Sequence, residues 1–254
     1  MAVVCDIPGV LLKGAFPMSS IDVRVLPGRR CYDAEVEAIV EDHWQATLRQ
    51  KPQLFDGVVW CLVSYKVCMG EVAPCLLLEM QETSFKYVIY THLSDAGKQM
   101  DAARRSGACG LMALTETADG LLVFGQRSQY VGAFPGYFHC ELKEEVGVVW
   151  AGVSRCEFYA LLDTGAEQGH KYEFVLYLRL ALSASDVFRL YQSAIDKKEH
   201  EAFLFLQPGS NTARPVAPTG LPVVSVDDFL SGGYLITDVA RRALQLFHAE
   251  DYKT

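Results

Sequence analysis

The chain has 254 residues, half of them hydrophobic, enough to bury a sizeable core in one large domain or two small ones. Its formal net charge is -8, from 31 acidic against 23 basic residues, and the basic residues gather in nothing longer than pairs such as Arg29-Arg30 and Arg104-Arg105. Nucleic acid and anionic membrane are thereby excluded as primary partners.

The opening stretch "MAVVCDIPGVLLKGAFP" has no basic leader and is broken by Pro8, so no secretory signal is expected, and no later segment approaches the length of a membrane span. "SSIDVRVLP" alternates apolar and polar residues before the turn "PGRR", which predicts a strand. From Asp33 the period changes. Val36, Ile39, Val40, Trp44 and Leu48 recur at helical spacing, with Asp33 as N-cap and Pro52 just past the end. Trp44 reads as a core anchor of that helix.

"GVVWCLVSYKV" and "PCLLLEMQET" predict two further strands, and "SFKYVIYTHL" a third strand or a loop. The polar piece "SDAGKQMDAARRSGA" is helix-compatible and joins two parts of the chain. The domain boundary is expected there, with an N-terminal α/β subdomain over 1–104 and a second domain over 105–254. "CGLMALTETADGLLVFGQRS" then reads as strand, Asp119-Gly120 turn and strand, the most specific hairpin signal in the chain.

Downstream, "SRCEFYALLDTGAEQGHKYEFVLYLRLAL" predicts two strands around a glycine-containing loop, "SASDVFRLYQSAIDKKEH" a helix with a Ser/Asp start, and "EAFLFLQ" a strand. "SVDDFLSGG" and "TDVARRALQLFHAE" predict two closing helices after a proline-rich loop. Alternating strands and helices without internal repeats indicate an α/β or α+β layered fold. The eight cysteines, at 5, 31, 61, 68, 75, 109, 140 and 156, form no CxxC pair and no zinc-like spacing, which predicts free thiols in a reducing, cytoplasmic compartment.

Between the hairpin and the later strands lies "HCELKEEVGV", residues 139–148, with three glutamates in five residues. On a helix, Glu141, Glu144 and Glu145 share a face, because positions i, i+3 and i+4 stack. Like charges so placed cost about 0.2 to 0.5 kcal/mol per pair. Either they form a solvated face softened by Lys143, or they hold a hard divalent cation, since magnesium prefers carboxylate and phosphate oxygens.

The stretch "CELKEEVGV" resembles the second half of the Nudix box, in which Arg-Glu-aliphatic is followed one residue later by Glu-Glu and then by Gly-aliphatic. Glu141, Leu142, Glu144, Glu145, Gly147 and Val148 match; Cys140 stands where the arginine belongs. The segments "KPQLFDG", "ADGLLVFGQRSQYVGAFPGYF", "GVSRCEF" and "DVFRLYQSA" are similar, in order and spacing, to the Nudix branch that contains a uridine diphosphate glucose diphosphatase of animals and its plant relatives. The first half of the box does not match. Its glycine and first glutamate fall at positions held by Gln126 and Gly132, and Phe138-His139 runs straight into Cys140-Glu141 where the branch has a strand, a glycine-rich loop and the first turns of the catalytic helix.

The resemblance implies an α/β/α sandwich with a mixed sheet, preceded by the N-terminal α/β subdomain. It further implies hydrolysis of a nucleotide sugar of the UDP-glucose type to nucleoside monophosphate and sugar phosphate. On this reading Glu141, Glu144 and Glu145 hold Mg2+ or Mn2+, Glu144 and Glu145 are catalytic, and Arg127 and Arg155 contact the substrate. Glu157, Glu167 and Glu173 are weaker candidates for a general base, and His139 is a further candidate beside the cluster. The alternative is a Nudix-fold nucleotide-binding or interaction module that has lost catalysis.

Overall fold

The computed structural model describes residues 8–69, 74–129, 138–139, 148, 150–192, 200–208 and 223–251, with backbone alone at 138, 139, 167, 250 and 251. The fold is mixed α/β and divides into two units: Met1–Leu111 with Tyr159–Phe174, and Met112–Phe158 with Val175–Thr254.

The first unit contains a three-stranded sheet in the order β2-β4-β3. β2 (Ile21–Arg29) runs parallel to β4 (Pro74–Ser84), which is antiparallel to β3 (Val58–Met69), with Val23, Leu78 and Tyr65 in one row. The predicted helix is α1 (Ala34–Gln50), capped by the Asp33 carboxylate, which accepts from the Val36 N–H at 2.9 Å. Val36, Val40 and Trp44 line its buried stripe, and the indole meets Phe85 edge-on with 6.4 Å between centroids.

"SFKYVIYTHL" is neither strand nor loop. It forms a helical turn, α2 (Phe85–Val88), that continues as a π turn over Ile89–Leu93. Tyr87 and Tyr90, three residues apart, pack together against Val36 and Val40 of α1; a helical turn presents both rings to that stripe, whereas a strand would point them to opposite faces. Ser94 then caps α3 (Asp95–Lys98) by accepting from the Gly97 N–H at 3.0 Å. A side chain at Gly97 would place its Cβ 2.0 Å from the Tyr90 carbonyl oxygen, so only glycine fits this approach. The "SDAGKQMDAARRSGA" piece is helical only in α3 and in a single 3-10 turn over Ala102–Arg104.

β1 (Val10–Pro17), β5 (Cys109–Glu116), β6 (Leu122–Arg127), β7 (Phe138–His139), β8 (Val153–Asp163), β9 (Tyr172–Leu180), β10 (His200–Gln207) and β11 (Val223–Ser225) form one mixed sheet. Its order is β1-β8-β9-β5-β6-β10-β11, with β7 also paired to β6. β6 and β10 are antiparallel, and β10 and β11 parallel. The β5–β6 turn closes as predicted: the Thr117 N–H donates to the Leu121 carbonyl at 2.8 Å, and Gly120 takes the left-handed φ of +80° that a hairpin turn demands.

In the second unit Leu121, Val123, Leu180, Val187, Phe203 and Phe205 form a buried cluster that includes Val148. α4 (Ala184–Tyr191) begins with a capping box between Ser183 and Asp186, and α5 (Val226–Ser231) with Ser225 accepting from the Asp228 N–H. α5 drives Phe229 against Phe124 of β6 at 5.5 Å, and α6 (Asp238–Asp251) brings Phe247 onto Tyr177 of β9 at 5.8 Å. No helix among the described residues is long and apolar enough to cross a membrane.

Candidate functional site

Arg127 ends β6. The strand before it buries Leu122, Val123 and Phe124, and the arginine itself is half-buried where β6 leaves the core. Across the ladder its partner is His200, at the end of β10 where the register shifts between His200 and Ala202. The His200 imidazole lies over Gly125: a Cβ at that position would be 2.3 Å from the ring Cδ2 and 2.5 Å from Nε2. Phe203 packs against the same ring at 5.4 Å, and the Tyr191 hydroxyl donates to the His200 carbonyl at 2.8 Å. Next along β10, Glu201 accepts from the Gln129 N–H at 2.9 Å, which ties down the residues that follow Arg127.

On its other side β6 pairs with β7, Gln126 opposite Phe138 and Gly125 opposite His139. The chain therefore enters the glutamate segment from the strand beside Arg127. It leaves through Val148, 2% exposed and packed in the core cluster of the same unit. Glu141, Glu144 and Glu145 themselves lie outside the described residues, as do Cys140, Phe134 and Tyr137. Both neighbours of the segment, His139 and Val148, are fixed to the unit that holds Arg127.

Arg155 stands on β8 and is already engaged. Its Nε donates to Glu157 Oε2 at 3.0 Å and its Nη2 to Oε2 and Oε1 at 2.8 and 3.0 Å, while the guanidinium lies 5.6 Å from the centre of the Tyr177 ring. The two residues are two apart on one strand and so share a sheet face. The Tyr177 hydroxyl donates to Glu116, whose Oε1 is also 3.9 Å from Arg179 Nε. Burial, and then that carboxylate, push the Tyr177 phenol far above its ordinary range. This is an ion-paired row across β5, β8 and β9, and Arg155 reaches a ligand only by sharing its carboxylate partner.

The weaker general-base candidates are also accounted for. Glu157 is 9% exposed and held by Arg155. Glu173 belongs to the first unit, where Lys171 Nζ is 2.5 Å from its Oε1 and the carboxylate packs on Gly110. Glu167 has its backbone in a 3-10 turn. None of the three is in the β6–β7–β10 neighbourhood by strand pairing.

No protein-family model and no curated protein matches this sequence. Among the described residues no group of three His, Cys, Asp or Glu side chains could hold a metal ion. The described residues place Arg127 at a strand end in the same unit as His139 and Val148, the two residues that flank the acidic segment. His200 and Gly125 were not singled out in the sequence; their only signal is the pairing of β6 with β10, a contact over more than seventy residues that local periodicity does not carry.

Proposed function

We propose that the chain is a Nudix-type hydrolase, with the α/β/α sandwich of that family, that cleaves the diphosphate of a nucleotide sugar of the UDP-glucose type to nucleoside monophosphate and sugar phosphate. The observation that supports this best is the double tether of segment 140–147. Its preceding residue pairs with Gly125 two positions from Arg127, and its following residue, Val148, sits in the core beneath β6 and β10. A segment carrying three glutamates thus has both of its described neighbours in the unit that holds Arg127, and carboxylates together with a guanidinium are the combination that a doubly charged diphosphate with a divalent cation requires.

The donor set fits the ion. Carboxylate oxygens in this number suit Mg2+ or Mn2+ rather than a soft metal. Bound to Glu141, Glu144 and Glu145, such an ion supplies charge neutralisation at the diphosphate and a more acidic attacking water. One of Glu144 and Glu145 would take up the proton of that water as the P–O bond breaks. Arg127 holds the diphosphate oxygens, and charge-assisted hydrogen bonds of this kind strengthen as negative charge builds on the leaving oxygen.

A second reading, a nucleotide-binding module without catalysis, is favoured by two features. Gln126, at the position of the box glycine, is a paired residue of β6, and Arg155 is tied to Glu157. Incubating the protein with UDP-glucose and magnesium separates the two. Release of UMP that disappears in Glu145→Gln supports the hydrolase; nucleotide-dependent thermal stabilisation without UMP supports the module.

A further inference from the structure

Cys68 and Cys75 face each other directly across the antiparallel β3–β4 ladder, next to the pair Met69 and Pro74. Residues directly opposite in such a ladder project to the same face with Cα atoms about 4.5 to 5.5 Å apart. That separation falls inside the roughly 4.4 to 6.8 Å window that a disulfide spans. Both thiols are free and half-buried, and the neighbouring Met69 is 85% exposed, so this end of the ladder is open to a small thiol reagent.

The other described cysteines are placed differently. Cys61 is fully buried and donates to the Gln81 carbonyl at 3.1 Å; burial pushes its thiol up, pushes that of Cys109 up to about 12, and raises that of Cys156. A thiol held protonated is a poor nucleophile. Cys31 is exposed and donates to the Arg29 carbonyl at 3.6 Å.

We propose that Cys68 and Cys75 are a thiol switch that closes to a disulfide by exchange with glutathione disulfide. One protein thiolate attacks a glutathione sulfur; the S–S bond of glutathione disulfide breaks, one glutathione leaves as thiolate, and a mixed disulfide forms. The second protein thiolate attacks the protein sulfur of that mixed disulfide and expels the other glutathione. Two protein thiols are oxidised to one disulfide, one glutathione disulfide is reduced to two glutathiones, and the two protons pass from cysteine to glutathione sulfur. The ladder has already fixed both partners, so the second step is intramolecular and fast. The bridge is an extra covalent rung at the end of β3 and β4. Because the two cysteines are only seven residues apart in sequence, the bridge constrains the unfolded chain little and is readily reduced again.

The test uses the full chain, equilibrated with glutathione at graded ratios of disulfide to thiol, quenched in acid and digested without reduction. The expected product is a peptide pair joined through Cys68 and Cys75, formed with loss of two hydrogens and reversed by dithiothreitol. Cys68→Ser and Cys75→Ser are each expected to stop at a stable mixed glutathione disulfide on the remaining cysteine. A wild-type chain that accumulates the mixed disulfide without closing, joins either cysteine to a third one, or leaves both unmodified while Cys31 reacts would overturn the proposal.

Discussion

The His200 imidazole occupies the space that any side chain at position 125 would need, with Cδ2 2.3 Å and Nε2 2.5 Å from where a Cβ would stand. Gly125 is therefore what allows β10 to seat against β6 while β7 pairs on the other side of the same residue. Gly125→Ala is expected to lower stability by about 1 to 3 kcal/mol through overpacking against a ring that is itself enclosed by Phe203. Urea unfolding reads the loss. Under the proposed function, UMP release from UDP-glucose should fall further than the folded fraction does, since His139 of β7, which leads into the glutamate segment, pairs with Gly125 itself.

Arg127 and Arg155 should separate in kinetics. Arg155 is committed to the Glu157 carboxylate, whereas Arg127 ends β6, the strand against which β7 pairs just before the acidic segment. Arg127→Ala is expected to reduce kcat/KM for UDP-glucose by roughly 10- to 100-fold, the worth of a hydrogen bond to a charged group. Arg155→Ala should instead lower the unfolding free energy read from urea titration by about 1 to 2 kcal/mol, once the solvent exposure of the guanidinium is allowed for, with a smaller kinetic effect. The reverse order would exchange their roles.

His92 should make the first unit acid-sensitive. It is 4% exposed; its Nδ1 lies 3.1 Å from the Gln168 carbonyl and its Nε2 2.7 Å from the Ser106 hydroxyl. A carbonyl only accepts, so Nδ1 carries the hydrogen and Nε2 accepts from Ser106. Burial pushes the imidazole down from 6.5 to about 4. The unfolded chain thus binds a proton between those values that the folded chain refuses. Stability is full above pH 6.5 and falls as pH drops toward 4, by roughly 3 kcal/mol in all. Urea unfolding at intervals from pH 7 to 4 measures this slope, which His92→Gln should flatten.

Trp44 should behave as packing and not as ligand contact. The indole is 5% exposed and meets Phe85 edge-on. Trp44→Ala is expected to cost about 3 to 5 kcal/mol. At temperatures where the variant stays folded, KM for the nucleotide sugar should be unchanged.

Features governed by neighbours in sequence were legible. α1 with its Asp33 cap, the Asp119-Gly120 hairpin, the Ser183 start of α4 and the strands from β8 to β10 follow from period and capping chemistry. "SFKYVIYTHL" misled because its β-branched and aromatic content suits a strand, and only packing of Tyr87 and Tyr90 on α1 selects a helical turn. β1 was missed for the opposite reason, since "VLLKGAFP" has too weak an alternation and its place in the sheet depends on β8, far along the chain. At the candidate site the sequence identifies residue types, Arg127 and Arg155 among them. It does not reveal that Glu157 already holds Arg155, nor that His200 lies over Gly125.

The most direct test of the proposed site is Mn2+ binding followed by loss of the free-ion electron paramagnetic resonance signal, with the wild-type chain and with Glu141, Glu144 and Glu145 all changed to Gln. The expected result is saturable Mn2+ uptake by the wild type that strengthens when UDP-glucose is added, and none in the triple variant, whose circular dichroism spectrum is unaltered. Equal Mn2+ uptake by both proteins, or none by either in the presence of UDP-glucose, would contradict a divalent cation held by these glutamates beside Arg127.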